Sequence, residues 1–282
     1  MGGAVAPCCH RENAPSRAFS LAGLLRQPLA ATGETKHDGS DKPNLRCSDL
    51  MTTADYIALA LFALLWAGYS WITAGSGARF FPRLSLNRVM AERRKRWIYN
   101  SLKRDLKMID TQIMAGLQNG TAFFASTSIF AIGGCFALLG ATEKVEAVFS
   151  NLPLVAYSGR TAFEIKVAGL TALFGYAFFK FGWSYRLFNY CTILFGALPM
   201  MHDTNGDREA AERAADQVVL MNTIAAKHFN DGLRALFLSV GYLGWFAGPY
   251  MFMAMTTFVV FVLARRQYFS EARLALMDRD TP

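Results

Sequence analysis

The sequence predicts an all-α fold: an integral membrane bundle of about four transmembrane helices, with a basic amphipathic cytoplasmic helix between spans one and two. Three observations carry this. Apolar runs lie at 54–74, 123–140, 165–200 and 235–264, each long enough or nearly so to cross a hydrocarbon core of ~30 Å, which takes roughly 20 helical residues. Charge is almost absent from them; no Asp, Glu, Lys, Arg or His occurs between Tyr56 and Ala78. The net charge of +8 is concentrated, with ten Lys or Arg at 79–107. Lipid offers the backbone no hydrogen-bond partner, so apolar runs of this length must close their own bonds as helices.

Residues 1–50 mix Pro, Gly, Ser and isolated charges without helical or strand period. They read as a disordered or mis-called N-terminal extension, because Met51 opens a natural start just before the first run. Residues 51–266 form the membrane domain, and 267–282 a C-terminal tail. The expected spans are 54–74, 121–140, 163–183 with a helical extension to about 198, and 235–264.

Between the first two spans, Ile98, Leu102, Leu106, Ile109, Ile113 and Leu117 recur every three or four residues, the helical period. Arg93, Arg94, Arg96, Lys103, Arg104 and Lys107 occupy much of the remaining surface. Such a helix either lies in the interface with its cations on anionic headgroups or a partner, or packs its stripe on a neighbouring helix. Asn119-Gly120 is the expected break before span two. There, Ala122, Ser126, Gly133, Ala137 and Gly140 offer a small-residue face for helix packing. The third run is expected as one long helix stopped by Pro199, with half-helices re-entering the bilayer as the alternative. Lys166 and Lys180 in it are expected to snorkel to opposite surfaces. In the fourth run, Gly244 and Gly248 permit close packing, and Pro249 removes a backbone donor and predicts a kink.

Lys and Arg in connections orient a membrane protein. Ten at 79–107, two at 141–164 and four at 201–234 place both termini outside. Arg265-Arg266 after the fourth run is discordant, a positive flank on the outer side.

Chemistry is sparse. No nucleophile elbow, HExxH, phosphate loop or dinucleotide fingerprint is present, so no enzymatic activity is predicted. The five cysteines lack zinc spacing, and His202, Asp203, Asp207 and His228 form no diagnostic ligand set; no metal and no cofactor are predicted. The one polar constellation is Asn222, Lys227, Asn230, Asp231 and Arg234 before the fourth run. Lys227 and Asp231 have i,i+4 spacing, Asp231 and Arg234 i,i+3. It reads either as a polar path, the usual meaning of intramembrane charge, or as a structural ion-pair network.

Arg96-Trp97, Arg104-Asp105 with Asp110, Phe123-Phe124-Ala125-Ser126-Thr127, Gly133-Gly134, Asn222 and the stretch from Phe229 to Ala235 leading into Trp245 resemble a known family. It is an uncharacterised domain of unknown function shared by proteobacterial and plant multi-pass membrane proteins. The resemblance covers about 53–266 and implies architecture but no reaction. The resulting expectation is a multi-pass protein of a bacterial inner (plasma) membrane, a non-catalytic accessory or scaffold whose basic helix contacts anionic lipid or a partner. The alternative is an oligomeric transporter or channel-like protein with a polar path at the start of span four. Expected partners are membrane lipids, anionic ones foremost, and a second copy or another membrane protein; nucleic acid is not expected.

Overall fold

The computed structural model describes residues 51–73, 86–144, 159–199, 208–269 and 271. These all fall in one compact unit, Leu45–Pro282. The expected extension at 1–50, the expected tail beyond 271 and the histidine–aspartate set at 202–207 lie outside the described residues.

The described helices are α1 (Thr53–Thr73), α2 (Leu86–Ser101), α3 (Met108–Gly140), α4 (Arg160–Gly196), α5 (Arg208–Ala247) and α6 (Pro249–Tyr268); no strand occurs among the described residues. Three of them, α1, α3 and α4, are long and apolar enough to cross a membrane. The axis of the fold is the antiparallel pair α4–α5, the most extensive helix contact in the molecule. At ~1.5 Å per residue their 37 and 40 residues run about 55 and 60 Å.

The pairing follows from a repeat in each helix. On α4, Phe163, Val167, Leu170, Leu173, Ala177, Phe181, Ser184, Phe188, Cys191 and Phe195 are buried, each three or four residues after the last. On α5, Ala211, Ala215, Val218, Asn222, Ala225, Gly232, Ala235 and Ser239 are buried with the same three-or-four spacing, half-buried Phe229 taking the step between Ala225 and Gly232. A mean period of ~3.5 keeps one seam facing a partner along a long helix and winds the pair left-handed. Large side chains on α4 meet small ones on α5. At Gly232 the Phe181 ring takes the space of a side chain, so a Cβ there would come within 2.7–2.9 Å of it.

The other helices are placed by this pair. α3 packs along α4, and α6 folds back on the second half of α5. α1 lies against α6, and its first turn meets the end of α5, where the Trp245 indole donates to Asp55 at 2.7 Å. The start of α1, the end of α3, the start of α4 and the α5–α6 corner therefore share one end of the molecule. The first half of α5, with exposed i,i+4 pairs Arg208–Glu212 and Glu209–Arg213, extends from the other end, flanked by α2.

Several expectations are corrected. The run 235–264 is not one spanning helix. Gly248, at φ 143°, separates α5 from α6, Pro249 starts the new helix, and the chain reverses. The close return rests on Gly244, where a Cβ would sit 2.9 Å from the Met251 carbonyl oxygen, and on Gly241 against Thr256 Cα. The segment 86–117 is not one amphipathic helix either. α2 ends at Ser101, and of the expected stripe Ile98 and Leu102 are buried while Leu106, Ile109 and Ile113 are exposed. Asn119-Gly120 is no break, since α3 is continuous through it. The small residues Ser126, Gly133, Ala137 and Gly140 lie on the exposed face of α3, not in its contact with α4. The third run is one unbroken helix ending before Pro199, which excludes the re-entrant alternative.

Gly244→Ala should destabilise the protein by about 1–3 kcal/mol through overpacking against rigid backbone. Gly175→Ala, with open space around it, should be neutral or slightly stabilising. Thermal unfolding in mild detergent, comparing the two midpoints, checks this.

Candidate functional site

Polar side chains are buried at separate levels along the α4–α5 axis. At the level of the α5–α6 corner, Asp55 is 4% exposed and fully bonded. Its Oδ2 accepts from the Thr52 amide at 3.0 Å and hydroxyl at 2.7 Å, the amide hydrogen bond being one half of the capping box that fixes the start of a helix; Oδ1 takes the Trp245 indole. Lys166 is buried beside it, with Nζ 5.5 Å over the Trp245 ring. The expectation that Lys166 snorkels is thus corrected: it is buried inside the bundle. Below this level Phe62, Tyr242, Phe252, Leu170, Leu173 and Leu238 form one packed apolar cluster.

The second level lies beneath that cluster. Asp231 on α5 is approached by two cations, Arg234 Nη1 at 3.3 Å and, from α4, Lys180 Nζ at 3.5 Å. Arg234 also lies 5.7 Å from the Tyr69 ring of α1, and Lys180 5.4 Å from Tyr176. Lys180 is therefore an ion-pair partner, not a free snorkelling group. Phe124, Phe181 and Phe229 pack ring against ring on the α3 side of this level.

A third polar level sits farther along. Asn222 is fully buried, its amide nitrogen 3.7 Å from Cys191 Sγ and 3.8 Å from Met114 Sδ, and its Oδ1 has no partner. One turn away, the Ser184 hydroxyl donates to the Ala225 carbonyl at 2.8 Å. These bonds tie α3, α4 and α5 in one register.

The five residues expected to act together are therefore divided. Asp231 and Arg234 meet. Lys227 is exposed and forms no ion pair with Asp231 among the described residues; Lys180 takes that place. Asn230 is half-buried and makes no side-chain hydrogen bond among the described residues, and Asn222 belongs to the seam about 13 Å along the helix.

The basic segment is divided too. Asp110, at the start of α3 and fully buried, accepts from the Trp97 indole and from Arg104, both at 2.6 Å. Lys107 donates to the Leu198 carbonyl at 3.1 Å, a cation at the negative end of α4. Arg93 and Arg94 are half-buried on α2, where burial pulls the Arg94 guanidinium below its ordinary pKa, while Arg96 and Lys103 are exposed. The Tyr99 hydroxyl donates to Asp216 on α5 at 2.7 Å, which pushes the phenol up to about 12. α2 is thereby docked upright on the extension of α4 and α5, with Ile98 and Leu102 in that core.

Sequence reasoning missed Asp55, Lys166, Trp245 and Lys180 as members of charged clusters. Asp55 carried a signal: Thr52-Thr53-Ala54-Asp55 has capping-box spacing. The rest are contacts between distant segments.

Among the described residues the protein is all-helical, with three helices long and apolar enough to cross a membrane packed around buried polar groups. The chain belongs to the family described as Protein of unknown function, DUF599, which matches residues 57–272. No curated protein and no solved structure matches the chain.

Asp110→Ala should release α2 and leave Trp97 and Arg104 without their acceptor, costing about 1.5–3 kcal/mol as loss of a charged hydrogen bond. Hydrogen exchange should show faster exchange across 86–101 with α4 unchanged.

Proposed function

We propose that this protein is a non-catalytic membrane scaffold whose helical extension, faced by α2, meets anionic lipid or a partner protein on the cytoplasmic side of a bacterial inner membrane. One observation carries the reading: α4 and α5 are about 25–30 Å longer than a ~30 Å hydrocarbon core, and the excess is packed into a second helical storey with its own core. A helix that needs only to cross a bilayer has no use for that length.

The corner at Gly248 supports a revised topology. α1, α3, α4, the second half of α5, and α6 all share the same level, which makes five crossings. α6 returns Arg265 and Arg266 to the side of Arg234, because Tyr268 and Tyr69 both lie beside Arg234. The positive flank that was discordant with four spans then joins the basic segment 79–107, as the charge rule demands. The N-terminus of the bundle is outside and the C-terminus inside.

The transporter reading has one observation in its favour, the Lys180–Asp231–Arg234 cluster. Against it, the apolar cluster of Phe62, Tyr242 and Phe252 lies between that cluster and Lys166, with no polar step joining the two levels.

A C-terminal fluorescent protein that matures only in the cytoplasm should be bright in cells, and a periplasmic alkaline phosphatase at the same position inactive; the reverse pattern refutes the five-crossing topology. Replacing Arg93, Arg96 and Lys103 with Gln should weaken binding of the purified protein to anionic vesicles or to a co-purifying partner severalfold. Unchanged binding on both counts would remove the scaffold role from α2.

A further inference from the structure

The cluster around Asp231 holds more positive charge and more hydrogen-bond donors than the protein uses. Two cations share one carboxylate, at 3.3 and 3.5 Å, separations too long for well-formed charge-assisted bonds. Neither Lys180 nor Arg234 makes a hydrogen bond to any described residue, although their side chains are only 25% and 11% exposed. Ammonium and guanidinium are donor-only groups, and donors withdrawn from water without acceptors are costly. Nearby, His228 Nδ1 is buried and has no partner.

The surroundings specify what fits. α1 and α4 approach each other here through side chains rather than backbone, Trp66 standing edge-on to Tyr176 at 5.5 Å. Tyr176 is 39% exposed, so this edge of the α1–α4 contact reaches the outer surface of the bundle. Tyr69 lies under Arg234 from α1. From Arg160 to Lys180, α4 descends about 30 Å at ~1.5 Å per residue, the thickness of a hydrocarbon core. On the membrane placement proposed above, with Arg160 at the outer boundary, the cations stand at the depth of lipid phosphates in the leaflet on the α2 side. Basic pockets between membrane helices on that side suit anionic headgroups.

We propose that the groove between α1 and α4 seats the phosphate of an anionic phospholipid from the cytoplasmic leaflet, held by Lys180 and Arg234, with its upper acyl segment against Trp66 and Tyr176. Asp231 is shared by the two cations, Lys180 at one oxygen and Arg234 at the other, and leaves the three groups with one net positive charge. The site is separate from the α2 cations; it rests on the membrane placement proposed above but not on the scaffold role.

The test is native mass spectrometry of the full chain in neutral detergent. It would be titrated with phosphatidylglycerol, phosphatidylcholine or inorganic phosphate. The expected result is retention of one phosphatidylglycerol in preference to phosphatidylcholine, weakly competed by inorganic phosphate. Lys180→Gln should lower that retention about tenfold, the size of one lost hydrogen bond to a charged group, whereas Lys180→Arg should keep it. Tyr176→Ala, which alters a wall and no charge, should also lower it, and serves if Lys180→Gln fails to fold. Equal retention of both lipids, tight binding of inorganic phosphate alone, or loss of selectivity only when Arg93, Arg94 and Arg96 are neutralised would each overturn the proposal. Release of the protein from its membranes by alkaline carbonate would instead overturn the membrane placement itself; a protein that resists carbonate but shows no lipid preference refutes the groove alone.

Discussion

The seam between α4 and α5 is the constraint on which the rest depends. Its spacing of three or four residues holds over about eight helical turns, so two helices longer than a bilayer is thick stay in contact along most of their length. Small residues on α5, Ala211, Ala215, Ala225 and Gly232, let the backbones approach and leave room for Phe181, Phe188 and Phe195 of α4. In hydrocarbon, where apolar side chains gain nothing by leaving lipid for one another, close packing and a few polar bonds must hold helices together.

Polar groups within the seam act as register pins. Asn222 is the only Asn on the buried stripe of α5, and it reaches sulfur atoms on both α3 and α4. A lone polar residue in an apolar repeat costs stability and selects one alignment over its neighbours. Asp55 works similarly at the far end, since Trp245 can satisfy it only when α1 stands against the α5–α6 corner. The Lys180–Asp231–Arg234 cluster differs from both. Its charges are loosely paired, at 3.3 and 3.5 Å, rather than locked by short hydrogen bonds.

Much of this was legible in the sequence. Helical class, the apolar runs, the continuity of 160–196 and the pairing of Asp231 with Arg234 follow from composition and spacing, because the 3.6-residue period and the hydrogen-bond demand of lipid act locally. The α4–α5 repeat was also present in the sequence, though masked by continuous apolarity on the rest of α4: when both faces are greasy, buried and lipid-facing residues look alike. The break at 102–107 was obscured for a related reason. Leu106, Ile109 and Ile113 keep the helical period but remain exposed, and periodicity records a face without saying what, if anything, covers it.

By itself the sequence determined that this chain is helical, where it is apolar, and which segment carries its positive charge. Only the tertiary structure decided that the last apolar run is a hairpin, that Lys180 rather than Lys227 faces Asp231, and that Lys166 is buried beside Trp245. The physical reason is reach. A backbone helix satisfies its bonds within four residues, so local sequence suffices to specify it. The direction of the chain after Gly248, and the partner of each buried charge, depend on surfaces contributed by residues tens to hundreds of positions away. Those surfaces exist only once the helices have packed.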